Sequence, residues 1–119
     1  MNRDLQSLLD IYQSAELVAA YLQGVSWNSF LNDGKLQDAV IRRLSIIGEA
    51  ANRVSQAGRL SRPEIEWAGI RGLRNRLVHE YDDTDLETVW EIAQTEMADL
   101  ISKIKPMISS EDQLSIFEE

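Results

Sequence analysis

Residues 70–81 read Ile70-Arg-Gly-Leu-Arg-Asn-Arg-Leu-Val-His-Glu-Tyr81. Three arginines, an asparagine, a tyrosine and the chain's single histidine fall within eleven positions of this stretch. Its apolar residues recur at the three-to-four spacing of a helix, not in the alternation of a strand. At about 100° per residue from Arg71, the residues Trp67, Ile70, Leu73, Leu77, Val78 and Tyr81 fall on an arc from about 200° to about 340°. That arc is the expected buried face. Arg71, Asn75 and His79 form an i, i+4, i+8 polar ridge, while Arg76 and Glu80 turn toward solvent. A helix divided in this way needs other helices to cover its apolar side.

The flanking sequence supplies them. Leu5, Leu8, Leu9, Tyr12, Ala15, Val18, Ala19 and Leu22 predict a helix from Asn2 to Gln23, capped by Gly24. Ser26–Asn32 reads as a short turn or helical segment anchored by Trp27, Phe30 and Leu31. A second long helix is expected from an N-cap at Asp33 to Gln56, with the stripe Leu36, Val40, Leu44, Ile47, Ala51 and Val54, closed by Gly58. Ser61-Arg-Pro-Glu64 has capping-box spacing and should open the helix that runs to His79 or Tyr81. After an Asp82–Asp85 loop, Thr84-x-x-Glu87 reads as a second capping box. The last long helix turns Leu86, Val89, Trp90, Ala93, Met97, Leu100 and Ile104 inward, and Pro106 ends or kinks it. The expected fold is all-α, an antiparallel bundle of four main helices plus a short one, in one domain over residues 1–108 with an acidic tail at 109–119.

Composition narrows the function. A chain of 119 residues supports a single core, and the lack of cysteine removes disulfides, thiolate metal sites and cysteine nucleophiles. One histidine cannot supply a multi-histidine metal site, so no metal is expected. No apolar run approaches the ~18 residues of a membrane span, and Met1–Asp10 does not look like a secretory signal, so a soluble cytoplasmic domain is expected. The net charge of -8 argues against a protein that coats nucleic acid, but it is unevenly spread. Residues 1–41 carry -3, residues 42–76 carry +5 with eight arginines, and residues 77–119 carry -10. The arginines either pair with the acidic flanks or form a confined phosphate patch on an acidic protein.

Arg74 falls near 300° on the wheel, in the middle of the apolar arc, where an unpaired guanidinium is costly. Glu49, in Gly48-Glu49-Ala50 on the preceding long helix, is the candidate partner for a buried ion pair. His79 is the side chain whose ordinary pKa lies nearest neutrality. Beside arginine donors it suits metal-independent RNA cleavage, in which a base deprotonates a ribose 2′-OH and arginine stabilises the charge gathering on phosphorus. The leaving oxygen also needs an acid, and one chain has no second histidine. A symmetric homodimer would bring two His79 side chains together. Arg74 and His79 lie about 140° and ~7.5 Å apart on an ideal helix. Either a dimer partner completes the site, or the helix unwinds near His79, or Arg74 is structural and Arg71 or Arg76 holds the phosphate.

Arg74-x4-His79-x-Tyr81, with Asn75 directly after the arginine and Gly48-Glu49-Ala50 upstream, is similar to the Arg-x4-His-x-Tyr motif of HepT-type toxins in the HEPN superfamily. The order of Phe30-Leu31, Ala39–Leu44, Ile47–Ala50, Trp67, Gly72–Asn75 and Asp85-Leu86-x-x-Val89-Trp90 extends the resemblance from about residue 4 to 108. The resemblance implies a HEPN bundle that dimerises so that two motifs face one cleft. It implies a metal-independent endoribonuclease without a cofactor of its own, with Arg74 and His79 as the catalytic pair and Asn75 supporting the arginine. It further implies the toxin of a type VII-like toxin–antitoxin pair whose partner is a minimal nucleotidyltransferase of the MntA type. Such a partner, using its own ATP and Mg, transfers AMP to the motif tyrosine, here Tyr81. The added bulk and negative charge, two residues from His79, would silence the site. The alternative is a non-catalytic HEPN module that binds nucleotide or RNA and scaffolds the nucleotidyltransferase. The acidic mean suggests an enzyme that meets RNA at one spot, on a structured or loop substrate such as tRNA.

Overall fold

Leu8, Ile11, Ala15, Val18 and Leu22 lie on one side of the first helix, α1 (Asp4–Leu22), and all are buried. Burial of such side chains, about 1.5–3 kcal/mol for each large one, holds a helix that its own hydrogen bonds would not. The computed structural model describes residues 4–78 and 84–118, with side chains in those spans as far as Ser109. The expected helix start at Asn2 and the loop residues Asp82 and Asp83 lie outside the described residues. α1 stops at Leu22, and Gly24 takes the left-handed φ of 74° expected of a C-terminal glycine.

The next elements are α2 (Trp27–Leu31) and α3 (Gly34–Arg53). Ser26 caps α2 by accepting from the Ser29 N–H, and Asp33 caps α3 by accepting from the Leu36 N–H at 3.0 Å, as its sequence position predicts. α3 is the central helix, with Val40, Leu44 and Ile47 fully buried. α1 runs antiparallel to it. Asp4 at the start of α1 accepts from Ser55 N–H and Oγ–H just past the end of α3, and Asp10 pairs with Arg53 at 3.4 Å.

α3 ends at Arg53, short of the expected Gln56, because Val54 turns extended and buries its side chain. Ser55 then caps α4 (Gln56–Leu60), which places Gly58 inside a helix, not at the close of one. The expected capping box at Ser61-x-x-Glu64 does not form. Ser61 instead donates its hydroxyl back to the Gly58 carbonyl at 2.6 Å and closes α4. The following helix therefore begins late, as α5 (Trp67–Arg71), and Gly72 separates it from α6 (Leu73–Arg76). The Trp67 indole anchors the start by donating to the Arg62 carbonyl at 3.0 Å.

The last expected helix is likewise divided, into α7 (Leu86–Thr95) and α8 (Met97–Glu118), at Glu96. Asp85, not Thr84, is the N-cap of α7 and accepts from the Thr88 N–H at 3.0 Å. Pro106 lies inside α8 instead of ending it, and the helix continues through the acidic segment to Glu118. Buried Ile104 and Met107 flank the proline and pin both sides of the lost hydrogen bond. α1 packs against α3 and α8, and α3 packs against α5 and α6. Among the described residues the protein is all-α, with eight helices and an isolated bridge between Val78 and Thr84 in place of any strand. The extra helices arise from division of the two later expected helices and from α4.

Candidate functional site

The α5–α6 run carries the candidate residues, and α3 sets its position. At Gly48 a Cβ would stand 3.3 Å from the Ile70 carbonyl oxygen and 3.4 Å from Leu73 Cβ, so a larger residue would lever the two elements apart. Trp67, Ile70, Leu73 and Leu77 are buried, as the wheel predicts, whereas Val78 is exposed. α5 and α6 are separate helices divided at Gly72, so an angle taken in one does not carry into the other; after Gly72 the buried residues of the run are Leu73 and Leu77, at about 200° and about 240°. Arg74, at about 300°, lies beyond them and is exposed.

The expected buried pair of Arg74 with Glu49 is not present. Both residues are exposed, and no ion pair joins them among the described residues. Gly48 occupies the α3 position that faces α5 and α6, so Glu49, about 100° farther round the helix, turns away. Arg71 and Asn75 are exposed, as read from the ridge. The Arg71 Nε–H donates to Asn52 Oδ1 at 3.0 Å. Asn52, on α3, also donates from Nδ2 to the Gly48 carbonyl at 3.2 Å and to the Arg71 carbonyl at 3.4 Å.

Arg76 departs from its expected place. It is half-buried and forks onto the Glu96 carboxylate, with Nη1 to Oε1 at 3.1 Å and Nη2 to Oε2 at 2.5 Å. Glu96 holds the guanidinium pKa above its usual range, through these hydrogen bonds first and its charge second, against the opposing effect of partial burial. Arg76 is thus engaged by a carboxylate, unlike Arg71 and Arg74 on the same run. Nothing in the sequence pairs Arg76 with Glu96, because they stand twenty residues apart on different elements. The contact of Asn52 with Arg71 is equally absent from the sequence pattern, since the two stand nineteen residues apart on different helices.

The arginines of the central block now divide by partner. Arg53, Arg62 and Arg76 meet carboxylates, and Arg59 donates to the Val54 carbonyl. Among the described residues Arg42 and Arg43 on α3, and Arg71 and Arg74 on the α5–α6 run, meet no carboxylate. A cleft of about 390 Å³ between α5–α6 and the α7–α8 junction contains Arg76 and Lys103. Both of its cations are paired, Lys103 with Asp99 at 2.8 Å, and the cations of the α5–α6 run that meet no carboxylate, Arg71 and Arg74, do not line it.

α6 ends at Arg76, and Val78 already bridges to Thr84, with the Asp85 N–H donating to the Leu77 carbonyl at 2.8 Å. The helical run therefore stops before His79, which removes the premise of one straight helix carrying both Arg74 and His79. His79, Glu80 and Tyr81 themselves lie outside the described residues. Among the described residues no group of three or more His, Cys, Asp or Glu stands close enough to hold a metal ion, and no helix is long and apolar enough to cross a membrane.

Comparison with known proteins places this geometry in a family context. The model of the "Ribonuclease HepT-like" family matches residues 11–107. A Methanocaldococcus jannaschii protein with the provisional name of an RNase is 33% identical over 104 residues, covering 87% of this chain and 95% of that protein. A second such protein from the same organism is 30% identical over 118 residues, covering 96% of this chain and 98% of its own length. A Thermococcus cleftensis protein named as a probable ribonuclease HepT is 32% identical over 100 residues, 84% of this chain and 91% of that one. No solved structure matches.

Proposed function

The chain belongs to the HepT-like ribonuclease family, and on that premise we propose that it is a metal-independent endoribonuclease acting as the toxin of a toxin–antitoxin pair. One observation carries this reading. Arg71 and Arg74 remain exposed and free of carboxylates among the described residues, on the run that leads directly into His79, although the chain as a whole is acidic. In the proposed reaction the His79 imidazole takes the proton of a ribose 2′-OH, and that oxygen attacks the adjacent phosphorus. The bond from phosphorus to the 5′-oxygen breaks, leaving a 2′,3′-cyclic phosphate and a 5′-hydroxyl. In a homodimer the proton for the departing oxygen comes from the imidazolium of the second protomer. Arg74, with Arg71 beside it and Asn75 as its support, stabilises the additional negative charge on the phosphorane.

Regulation fits the same position. A minimal nucleotidyltransferase would transfer AMP from ATP to the Tyr81 hydroxyl, placing a phosphate where the substrate phosphate must sit. Cleavage of RNA by wild-type protein and His79→Ala in the presence of a chelator tests the catalytic part. The expected result is cleavage by the wild type alone, with 2′,3′-cyclic phosphate ends. Equal cleavage by both proteins, or RNA binding by both without cleavage, would instead favour the scaffold alternative. For the regulatory part, incubation with the cognate transferase and ATP should add AMP to the wild type but not to Tyr81→Phe, as read by intact mass.

A further inference from the structure

Arg71 and Arg76 stand on one short run of chain, and the structure gives their guanidinium groups opposite treatment. Arg76 is met by a carboxylate, which orients it and cancels its charge. Arg71 is met by an amide. Asn52 accepts from Arg71 Nε and donates to the Arg71 main-chain carbonyl, so it grips the residue at both ends. Its own placement is fixed by the bond to Gly48, a residue at which α3 packs tightly on α5 and α6. With Nε engaged, the two Nη groups remain as the fork that accepts bidentate phosphate, and because the partner is neutral the full positive charge stays with them.

We infer that Asn52 is a positioning residue for the ribonuclease site, a neutral clamp that aims Arg71 at an RNA phosphate without discharging it. This inference rests on the ribonuclease reading above. It extends the functional surface from α5–α6 onto α3. It also explains why an amide suits this position: aspartate could accept the same Nε hydrogen bond, but it would convert Arg71 into a second Arg76.

Asn52→Asp and Asn52→Ala separate the clamp from a merely structural role. The readouts are cleavage of a single-stranded RNA oligonucleotide across a salt titration, and thermal melting. Aspartate removes the free charge, so KM should rise roughly tenfold, the scale of one charge-assisted hydrogen bond. The dependence of log KM on log salt should flatten by about 0.7, the contribution of one phosphate contact on a single strand. Alanine leaves the charge but frees the side chain, so KM should rise less and the salt slope should stay at the wild-type value. In an Arg71→Ala background, Asn52→Asp should change neither quantity. The salt slope does not depend on the folded fraction, so a lowered melting temperature in either variant leaves the comparison readable. An unchanged slope and near-wild-type KM for Asn52→Asp, with cleavage intact, would overturn the inference alone. No cleavage by the wild type would overturn the ribonuclease reading, and the clamp with it.

Discussion

Arg71 and Arg74 keep their charge because of where the buried arc ends. After the break at Gly72 the buried residues of the run are Leu73 and Leu77, and Arg74 falls beyond them on the exposed surface, as Arg71 does at the end of α5. Arg76 falls beyond the opposite edge, where α7 and α8 meet, and there Glu96 receives it. That pair ties α6 to the α7–α8 junction. Arg76→Ala or Glu96→Gln should lower the free energy of unfolding by about 1 kcal/mol, the upper range for a partly exposed ion pair, as measured by denaturant titration. The exposure of Arg71 and Asn75 was legible from helical spacing alone. That of Arg74 was not, because a wheel drawn through one continuous helix carries the angle of Trp67 across the break at Gly72 and so places Arg74 inside the buried arc. The Arg76–Glu96 pair was illegible because partners far apart in sequence are chosen by tertiary packing.

The elements show the same division. α1 and α3 were readable because long apolar stripes, the Gly24 stop and the Asp33 cap all agree on one answer. The region from Val54 to Trp67 was misread because Ser61 can cap in either direction, and here it closes α4 from behind. Closing α4 there delays α5 to Trp67 and leaves the candidate residues on a short run braced by α3. That brace is testable at Gly48. Gly48→Val should cost about 1–3 kcal/mol by overpacking against Ile70 and Leu73, and it should depress RNA cleavage beyond the loss of folded protein. Circular dichroism melts together with kcat measured well below the melting temperature check both halves. A variant with normal kcat would show that α3 does not set the geometry of the site.

At the scale of the molecule, the -8 total conceals unspent positive charge. Three central arginines are held by carboxylates, while Arg71 and Arg74 on α5–α6 and Arg42 and Arg43 on α3 meet none among the described residues. The chemistry also needs a proton donor that one copy of this chain does not supply in a second histidine, and the proposed remedy is two-fold symmetry. Light scattering at assay concentrations should therefore give twice the chain mass, and dilution below the dimer dissociation constant should lower specific activity. A monomer with constant specific activity would require another acid.

The comparison that reaches the centre of this account is single-turnover RNA cleavage by Arg74→Ala beside Arg76→Ala, each corrected for folded fraction. The open arginine should matter to the reaction and the paired one to the fold. Arg74→Ala is predicted to lose roughly a hundredfold or more, the scale of removing one charge-stabilising donor, while Arg76→Ala cleaves at near the wild-type rate. An Arg76→Ala loss equal to or greater than that of Arg74→Ala would contradict it.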